Sequence, residues 1–320
     1  MDLPLLLAAG GFSVIAGAND GSTLIAMNLE SKALRPVPSI ALIALAIAAA
    51  PLVVGTGVAT TVARGLVSFE GRAGTSAFLV AVVVAIVVIW LLSTKGLPTS
   101  LTLALTGGIV GAGIGSGLAV GWMSVGLVLA IGLVAPAASL LIGYLANRRL
   151  RALPLPVTGV RHRVRVLQAA TFVAQCVAYS SNDAQKMIAI VAVATDHAAG
   201  RVAAQPASQA LIAGLFVLGM LFGVRRLSGR LGRRVMPVQP MHLVAAKLAA
   251  SCAVLGSSAL GAPVSMTQSS TAGLIGAGAS DRLDRVRWQE AVRIAIAWVV
   301  TLPASAAAAA AAAALLRVHR

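Results

Sequence analysis

The sequence predicts an all-α polytopic membrane protein with about ten transmembrane or re-entrant helical segments in two inverted repeats of five. Three observations support this fold class: 58% of the 320 residues are apolar, only 11% are charged, and the mean hydropathy is +0.93. An average soluble domain is about 25% charged, and a spanning helix requires about 20 mostly apolar residues. The composition therefore disfavours a soluble enzyme, a disordered chain or a coiled coil. Short segments of strictly alternating polarity, typical of a spanning barrel, are not found in the sequence.

Ten apolar stretches are separated by short loops rich in Arg, Pro and Gly. They lie at about 3–28, 39–63, 74–92, 97–116, 121–146, 164–195, 207–223, 241–258, 262–279 and 291–316. With the N-terminus outside, most Lys and Arg residues fall on the cytoplasmic side, as the positive-inside rule requires. The chain accordingly divides into a first repeat (1–146), a cytoplasmic basic linker (147–163) and a second repeat (164–320).

The net charge of +16 comes largely from basic residues in these loops. It is therefore interpreted as membrane topology and not as a sign of a nucleic-acid partner. Aromatic residues make up only 4% of the chain, which provides no evident stacking surface for bases. We expect a multi-pass protein of the cell membrane whose surroundings are the lipid bilayer.

Two motifs occur twice in the chain. Residues 98–113 read PTSLTLALTGGIVGAG and residues 263–278 read PVSMTQSSTAGLIGAG, an offset of 165 residues (263 minus 98). An Asn-Asp pair at Asn19 recurs at Asn182, an offset of 163 residues (182 minus 19). Chance similarity between Gly/Ala-rich helices is the alternative, but two motifs at nearly one offset favour an internal repeat. An odd number of segments in each half inverts the second half, as in secondary transporters, whose substrate site lies near the midplane.

The two Asn-Asp pairs place carboxylates inside apolar stretches. A carboxylate there costs at least about 2.5–3.5 kcal/mol on insertion scales, so Asp20 and Asp183 require a partner or a function. Lys186, three residues after Asp183, could simply neutralise it on one helix face, but Asp20 has no basic neighbour in sequence. Amide and carboxylate oxygens suit a small cation such as Na⁺, and a carboxylate can instead carry a proton. Gly17, Gly21 and the Ser180-Ser181 pair are predicted to let each helix break there.

The Pro-x-Ser-x-Thr segments suit an anion. Pro98 and Pro263 favour a first helical turn, and the serines that follow favour a cap. A helix start offers free N–H groups and a positive dipole end. The hydroxyl donors at these starts are Thr99, Ser100, Thr102, Ser265, Thr267, Ser269 and Ser270. Close packing of small residues is the alternative for any one of them. It is the preferred interpretation of the later glycines, which are Gly107, Gly108, Gly111, Gly113, Gly115 and Gly117. Segments 97–116 and 262–279 can either span or re-enter.

The remaining chemistry-bearing residues indicate neither a metal site nor an enzyme. The histidines (His162, His197, His242 and His319) lie in or beside loops without ligand spacing. Cys176 and Cys252 lie in apolar stretches and are expected to be unpaired. No nucleophile–base pair is evident, so we expect no catalytic residues and no cofactor.

These motifs resemble those of the inorganic phosphate transporter (PiT) family. Gly17-Ala18-Asn19-Asp20 and Ser181-Asn182-Asp183-Ala184-Gln185-Lys186 look like its duplicated GAND signature, and the two Pro-x-Ser-x-Thr segments look like its PxSxTH motif. The resemblance implies cation coupling through Asn19, Asp20, Asn182 and Asp183. It implies phosphate binding through Ser100, Thr102, Gln185, Ser265 and Thr267, to which we add Thr99 and Lys186. Where the family usually has histidine after its motif, the chain has Leu103 and Gln268.

The resulting hypothesis is import of inorganic phosphate by H⁺- or Na⁺-coupled symport with alternating access. Moving one charge across the membrane costs about 2.3 kcal/mol per 100 mV, so a divalent phosphate requires at least two accompanying cations. The two carboxylates could hold them. Uptake of a neutral metal-phosphate complex, a transporter of another oxyanion such as sulfate, and a membrane subunit without transport are the alternatives. A homodimer is plausible for such folds.

Overall fold

The computed structural model describes residues 2–31, 34–94, 99–152, 160–227 and 236–318, and the regular structure in these ranges is helical apart from one antiparallel bridge between Val67 and Val120. The α-helices are α1 (Leu3–Ala16), α2 (Ser22–Ser31), α3 (Pro36–Val54), α4 (Gly57–Thr60), α5 (Gly71–Thr94), α6 (Leu101–Ser116), α7 (Trp122–Ala152), α8 (Val160–Thr195), α9 (Ala199–Ala203), α10 (Pro206–Leu227), α11 (Pro240–Ala259), α12 (Met266–Ala279) and α13 (Trp288–Val318). Two π-helical segments, Gly17–Gly21 and Thr61–Gly65, connect α1 to α2 and extend α4.

Each of the ten predicted apolar stretches contains helix. Among the described residues, seven helical segments are long and apolar enough to cross a membrane: Leu3–Ser31, Pro36–Val54, Gly71–Ser93, Trp122–Ala152, Pro206–Val224, Pro240–Ala259 and Trp288–Arg317. The all-helical membrane architecture is therefore confirmed, while the count of ten and the inversion of the repeats stay predictions.

The helices α6 and α12 are short. They contain 16 and 14 residues, which at 1.5 Å per residue extend about 24 and 21 Å. The hydrocarbon core of a bilayer is about 30 Å thick. Neither helix crosses this thickness alone, so both have the length expected of segments that begin inside the membrane.

Helix extends into both ends of the predicted basic linker. α7 continues to Ala152 and α8 begins at Val160. Residues 153–159, the middle of that linker, lie outside the described residues. The same holds for Pro98, the first proline of the duplicated motif.

Polar and apolar residues are distributed as a membrane protein requires. Large apolar side chains such as Met123, Leu133 and Val299 are exposed on the outer faces of α7 and α13. Buried positions include many Ser, Thr, Asn and Gln residues. Because hydrocarbon cannot hydrogen-bond, polar groups lie inside the helix assembly, where they find partners.

The predicted role of the glycines of α6 in close packing is confirmed. α6 lies between α5 and α13, and one face of α6 carries Gly107, Gly111 and Gly115. A Cβ atom at any of them would overlap a backbone carbonyl of α13; these carbonyls belong to Leu302, Ala306 and Ala310. The small side chains of the alanine-rich helix α13 thus allow its backbone to lie directly against the glycines of α6.

The helix α12 packs in the same manner between α7 and α11. A Cβ atom at Gly276 would overlap the Leu140 carbonyl oxygen of α7, and Gly143 of α7 lies equally close to Gly273. Each short helix is therefore held by one helix from its own half and one from the other half.

We predict that Gly276→Ala lowers the melting temperature of the purified protein. The added methyl group forces α12 away from the Leu140 carbonyl, and overpacking of this kind costs about 1–3 kcal/mol. Gly126→Ala is the control, because nothing lies within 4 Å of its Cβ position and alanine favours helix there. Thermal unfolding in detergent measures both variants; equal melting temperatures would contradict the packing model.

Candidate functional site

The first Asn-Asp pair lies on the π-helical turn Gly17–Gly21, which joins α1 to α2 without interruption. The Ser22 hydroxyl donates to the Ala18 carbonyl (2.6 Å), and the Thr23 hydroxyl donates to the Asn19 carbonyl (2.9 Å). These hydroxyls keep both carbonyl oxygens paired. The predicted break at the two glycines is therefore a widened turn, a feature frequent at functional sites.

Helix α10 packs directly against this turn. A Cβ atom at Gly17 would overlap the Phe216 carbonyl oxygen, and one at Gly223 would overlap the Ala18 carbonyl oxygen. Small residues at both positions allow the two backbones to touch. The Asn-Asp pair of the first half is thus held in place by a helix of the second half.

The predicted break of the second helix at Ser180-Ser181 is wrong. α8 runs without interruption from Val160 to Thr195. The Ser181 hydroxyl donates to the Ala178 carbonyl of its own helix (2.8 Å), and no glycine lies between Ser180 and Lys186 to loosen the backbone. The two Asn-Asp pairs therefore differ in local structure.

Asn182 fastens the extended segment that precedes α12. Its Nδ2 donates to the Ala262 carbonyl (2.9 Å) and to Ser258 Oγ (3.1 Å), and its Oδ1 accepts from the Val264 N–H (2.9 Å). This amide pairs with the segment as a neighbouring backbone would. Asn182 therefore positions the start of α12, in addition to any contact that its oxygen makes with a cation.

Asn19 contacts the corresponding segment of the first half. Thr99 Oγ1 donates to Asn19 Oδ1 (3.2 Å), and Asn19 Nδ2 donates to Asp20 Oδ1 (2.8 Å). Asp20 is only 2% exposed, and it interacts electrostatically with Asp183 and Lys186. The structure therefore brings both predicted carboxylates to one buried region beside the two short helices.

The predicted helix starts are present, with serine as the cap of each. Ser100 Oγ accepts from the Leu103 N–H (3.3 Å), and Ser265 Oγ accepts from the Gln268 N–H (3.4 Å). Pro263 lies two residues before its cap and not in the first helical turn. A capped start still leaves other N–H groups of the first turn without intrahelical partners.

The two helix starts meet through Thr102, Val264 and Lys186. Thr102 Oγ1 donates to the Val264 carbonyl (2.9 Å), and the Met266 N–H donates to Asp183 Oδ2 (3.3 Å). Lys186 Nζ donates to Asp183 Oδ1 (2.5 Å), Thr102 Oγ1 (2.5 Å) and the Val264 carbonyl (2.7 Å). An ammonium group has three N–H donors, so all of them are in use.

Gln185, also predicted to bind phosphate, is directed elsewhere. Its Nε2 donates to the carbonyls of Gly55 (2.8 Å) and Ser181 (2.7 Å), and its Oε1 accepts from the Ala59 N–H (3.0 Å). Two of these bonds go to the backbone of Gly55, between α3 and α4, and of Ala59, in α4, and the third goes to its own helix. The structure therefore ties Gln185 to that connection and not to the helix starts.

A cavity of about 20 Å³ separates the two helix starts, with Thr102, Leu103, Pro263, Ser265 and Gln268 among its lining residues. Thr267, on the same first turn as Gln268, shares a hydrogen bond of 2.8 Å with Ser265. A space of this size accommodates about one water molecule. Of the predicted hydroxyl donors, Thr102 and Ser265, one from each half, thus line this narrow gap, together with apolar residues such as Leu129.

Tyr179 is a site residue that sequence reasoning missed. Its side chain is buried near Asp20 and Asp183, and its hydroxyl makes no hydrogen bond to the described residues. It lies four residues before Asp183, one turn away on the same face of α8. That spacing is the signal that could have identified it.

A second charged cluster, also missed, lies at the ends of α7, α11 and α12. Asp281 Oδ2 pairs with Arg151 (2.6 Å), His242 Nε2 (2.8 Å) and Arg285 (3.2 Å), and Asn147 donates to Asp281 Oδ1 (2.9 Å). The Asp281 side chain is 3% exposed. This carboxylate therefore joins three helices at the side predicted to face the cytoplasm.

Comparison with known proteins identifies the family of the chain. The model of the phosphate transporter family matches residues 16–309. This chain belongs to that phosphate transporter family. The resemblance inferred from the duplicated motifs is confirmed, and the apolar helices of this family member make it a multi-pass protein of the bacterial plasma membrane.

Individual relatives of this phosphate transporter family member cover nearly the whole chain. A probable low-affinity inorganic phosphate transporter of Bacillus subtilis (strain 168) is 28% identical over 94% of this chain and 93% of its own length. One of Mycobacterium bovis is 30% identical over 94% of this chain and 74% of its own length. A solved structure, the sodium-dependent phosphate transporter, matches with a TM-score of 0.78 and 19% identity, covering 98% of this chain and 99% of that one. The similarity to this solved structure establishes the fold.

We predict that Asn182→Ala in this family member lowers the melting temperature by several degrees. The substitution leaves the Ala262 carbonyl and the Val264 N–H without the partners they now have, and an unsatisfied buried polar group costs about 1–3 kcal/mol. Ser180→Ala is the matched control, since the buried Ser180 hydroxyl forms no hydrogen bond within the described ranges. A melting temperature for Asn182→Ala equal to that of Ser180→Ala would show that the hydrogen bonds of Asn182 to Ala262 and Val264 do not stabilise the fold.

Proposed function

We propose that this member of the phosphate transporter family imports inorganic phosphate by cation-coupled symport with alternating access. The observation that carries the proposal is the meeting of two capped helix starts beside two Asn-Asp pairs whose carboxylates are buried. Helix starts attract anions through free N–H groups and a positive dipole end, and buried carboxylates attract cations. One buried region therefore has the means to hold a cation and an oxyanion together.

The phosphate site lies between the starts of α6 and α12. Ser265 and Thr267 already share a hydrogen bond (2.8 Å), and Thr102 lines the same cavity as Ser265. Ser100 and Thr99 belong to the other start. These hydroxyls can donate to phosphate oxygens without adding fixed charge, which favours release as well as binding.

The exchangeable cation binds at Asp20. Its carboxylate is buried. The Asn19 amide donates to Asp20 Oδ1 (2.8 Å), and the Thr99 hydroxyl in turn donates to Asn19 Oδ1 (3.2 Å). An uncompensated buried carboxylate is costly, so a cation from outside stabilises this region. Na⁺ and H⁺ both satisfy this requirement.

Binding of phosphate requires the helix starts to separate. The cavity between them is about 20 Å³, which is room for about one water molecule. Thr102 donates to the Val264 carbonyl across this gap, so phosphate must displace that contact. Separation of α6 from α12, each of which is packed against a helix of the other half, is the motion that we assign to alternating access.

Uptake of radiolabelled phosphate into proteoliposomes tests the function directly. Na⁺ and pH gradients are imposed one at a time, with sulfate and arsenate offered as competing substrates. Uptake of phosphate that one gradient accelerates is expected. Preferential counterflow of sulfate would assign another oxyanion, and no flux of any anion under either gradient would contradict transport.

We predict that Asp20→Asn reduces phosphate uptake to the level of empty liposomes. The amide has the same shape as the carboxylate, but it has no negative charge to balance a cation and cannot take up and release a proton. Asp284→Asn is the control, because the Asp284 side chain is 70% exposed and pairs only loosely with Arg282 (3.6 Å). Size-exclusion chromatography confirms that both variants are folded. Wild-type uptake by Asp20→Asn would exclude Asp20 as the coupling site.

A further inference from the structure

We infer that the Lys186 ammonium is a built-in cation that permanently occupies one of two equivalent cation positions. A single exchangeable cation, bound at Asp20, then accompanies a monoanionic oxyanion in each transport cycle. This assignment rests on the proposed function, and it replaces the expectation of two exchangeable cations and the expectation that Lys186 binds phosphate.

The surroundings of Lys186 Nζ have the composition of a cation site. One carboxylate oxygen (Asp183, 2.5 Å), one hydroxyl oxygen (Thr102, 2.5 Å) and one backbone carbonyl (Val264, 2.7 Å) face it. Carboxylate and carbonyl oxygens are the ligands that hard cations take in proteins, and carbonyls of interrupted helices coordinate the coupling ions of transporters. The ammonium is a compact point charge with three donors, and here each donor has one oxygen.

Phosphate has no access to this charge as the helix starts are now arranged. Lys186 is 1% exposed and Asp183 is 4% exposed. All three N–H groups of the ammonium are engaged, so a phosphate contact would require a buried ion pair to break. Breaking such a pair is strongly unfavourable because it leaves an uncompensated buried charge. Lys186 therefore compensates Asp183 and does not bind the substrate.

The position of the first half that corresponds to Lys186 holds no cationic side chain. The offset that pairs Asp20 with Asp183 pairs Thr23 with Lys186. The Thr23 hydroxyl donates within its own helix, to the Asn19 carbonyl (2.9 Å). Within the described residues no cationic side chain forms an ion pair with Asp20. Asp20 is therefore the carboxylate that depends on a cation from solution.

Charge balance then selects the form of the substrate. Asp183 and Lys186 sum to zero, and Asp20 with one bound monovalent cation also sums to zero. The remaining positive potential is that of the two helix starts, each equivalent to roughly half an elementary charge. Together they match one negative charge, which is the charge of dihydrogen phosphate. One cation and one monoanion cross together, so the cycle carries no net charge.

The test measures how far proteoliposomes containing the full chain accumulate phosphate at static head. The logarithm of the phosphate ratio is plotted against the logarithm of the imposed ratio of the driving cation. A slope of one is expected for the wild type, with no response to an imposed potential. If one net charge crossed, 100 mV would change the ratio roughly 50-fold. A slope of two, or such a response, would overturn the inference. Accumulation with any slope upholds transport itself, whereas no accumulation is the failure of the proposed function.

Variants of the ion pair test the role of Lys186. Lys186→Met leaves the oxygens of Asp183, Thr102 and Val264 free to bind a second cation from solution, so the slope is expected to rise to two. Lys186→Arg keeps the charge and is expected to keep a slope of one. The double variant Lys186→Met/Asp183→Asn also removes the carboxylate that would bind this second cation, and it is expected to return the slope to one. A slope of one for Lys186→Met alone would overturn the inference.

A binding measurement covers the case in which Lys186→Met is folded but does not transport. Its melting temperature is measured with increasing NaCl and compared with choline chloride at equal ionic strength. A rise specific to Na⁺ that is larger than the rise of the Lys186→Met/Asp183→Asn variant, in which only the Asp20 position is left, supports the assignment. Equal responses of the two variants show that removal of Lys186 creates no cation site, and would overturn it.

Discussion

The structure depends on the need to satisfy the backbone where two helices begin inside an apolar environment. Non-helical backbone at membrane depth is tolerated only where protein groups or a polar cavity supply partners. Asn182 pairs with Ala262 and Val264, Lys186 takes the second bond of the Val264 carbonyl, and Asp183 accepts the Met266 N–H. The residues that look like ion ligands are therefore also the residues that hold the helix start in place. Under the proposed function, cation binding and the geometry of the phosphate site cannot therefore vary independently.

The packing of the two halves follows one pattern at the offset of the duplicated motif. Gly111 lies against the Ala306 carbonyl of α13, and Gly276, at the corresponding position, lies against the Leu140 carbonyl of α7. The carbonyls of Ala81 and Ala246 approach Gly108 and Gly273 in the same paired way. Each short helix is thus packed against backbone of both halves. A movement of α6 relative to α12 must consequently carry larger units, which suits an exchange between two arrangements better than the opening of a local loop.

Much of the fold and part of the site could be predicted because they depend on local chemistry. The length of the apolar stretches identified the helices. Ser100 and Ser265 identified two helix starts, because each serine hydroxyl accepts a hydrogen bond from the N–H three residues later. Long-range pairing could not be predicted in this way. Gln185 bonds to Gly55, 130 residues away, and Asp281 pairs with Arg151, also 130 residues away. No spacing in the sequence encodes such partners. The break expected at Ser180-Ser181 failed because serine hydroxyls can bond within a helix, as Ser181 does with Ala178.

The difference between the two halves carries as much meaning as their similarity. Asp20 and Asp183 have the same predecessor in sequence and similar burial, yet only Asp183 has a cation on its own helix. A symmetric pair of carboxylates would need two ions from solution to approach neutrality. One ammonium in the chain halves that requirement. In the proposed arrangement it occupies the cation position at Asp183 permanently, while the position at Asp20 exchanges its cation with solution. Under the proposed function, a single lysine is sufficient to divide the two Asn-Asp positions into one structural position and one exchangeable position.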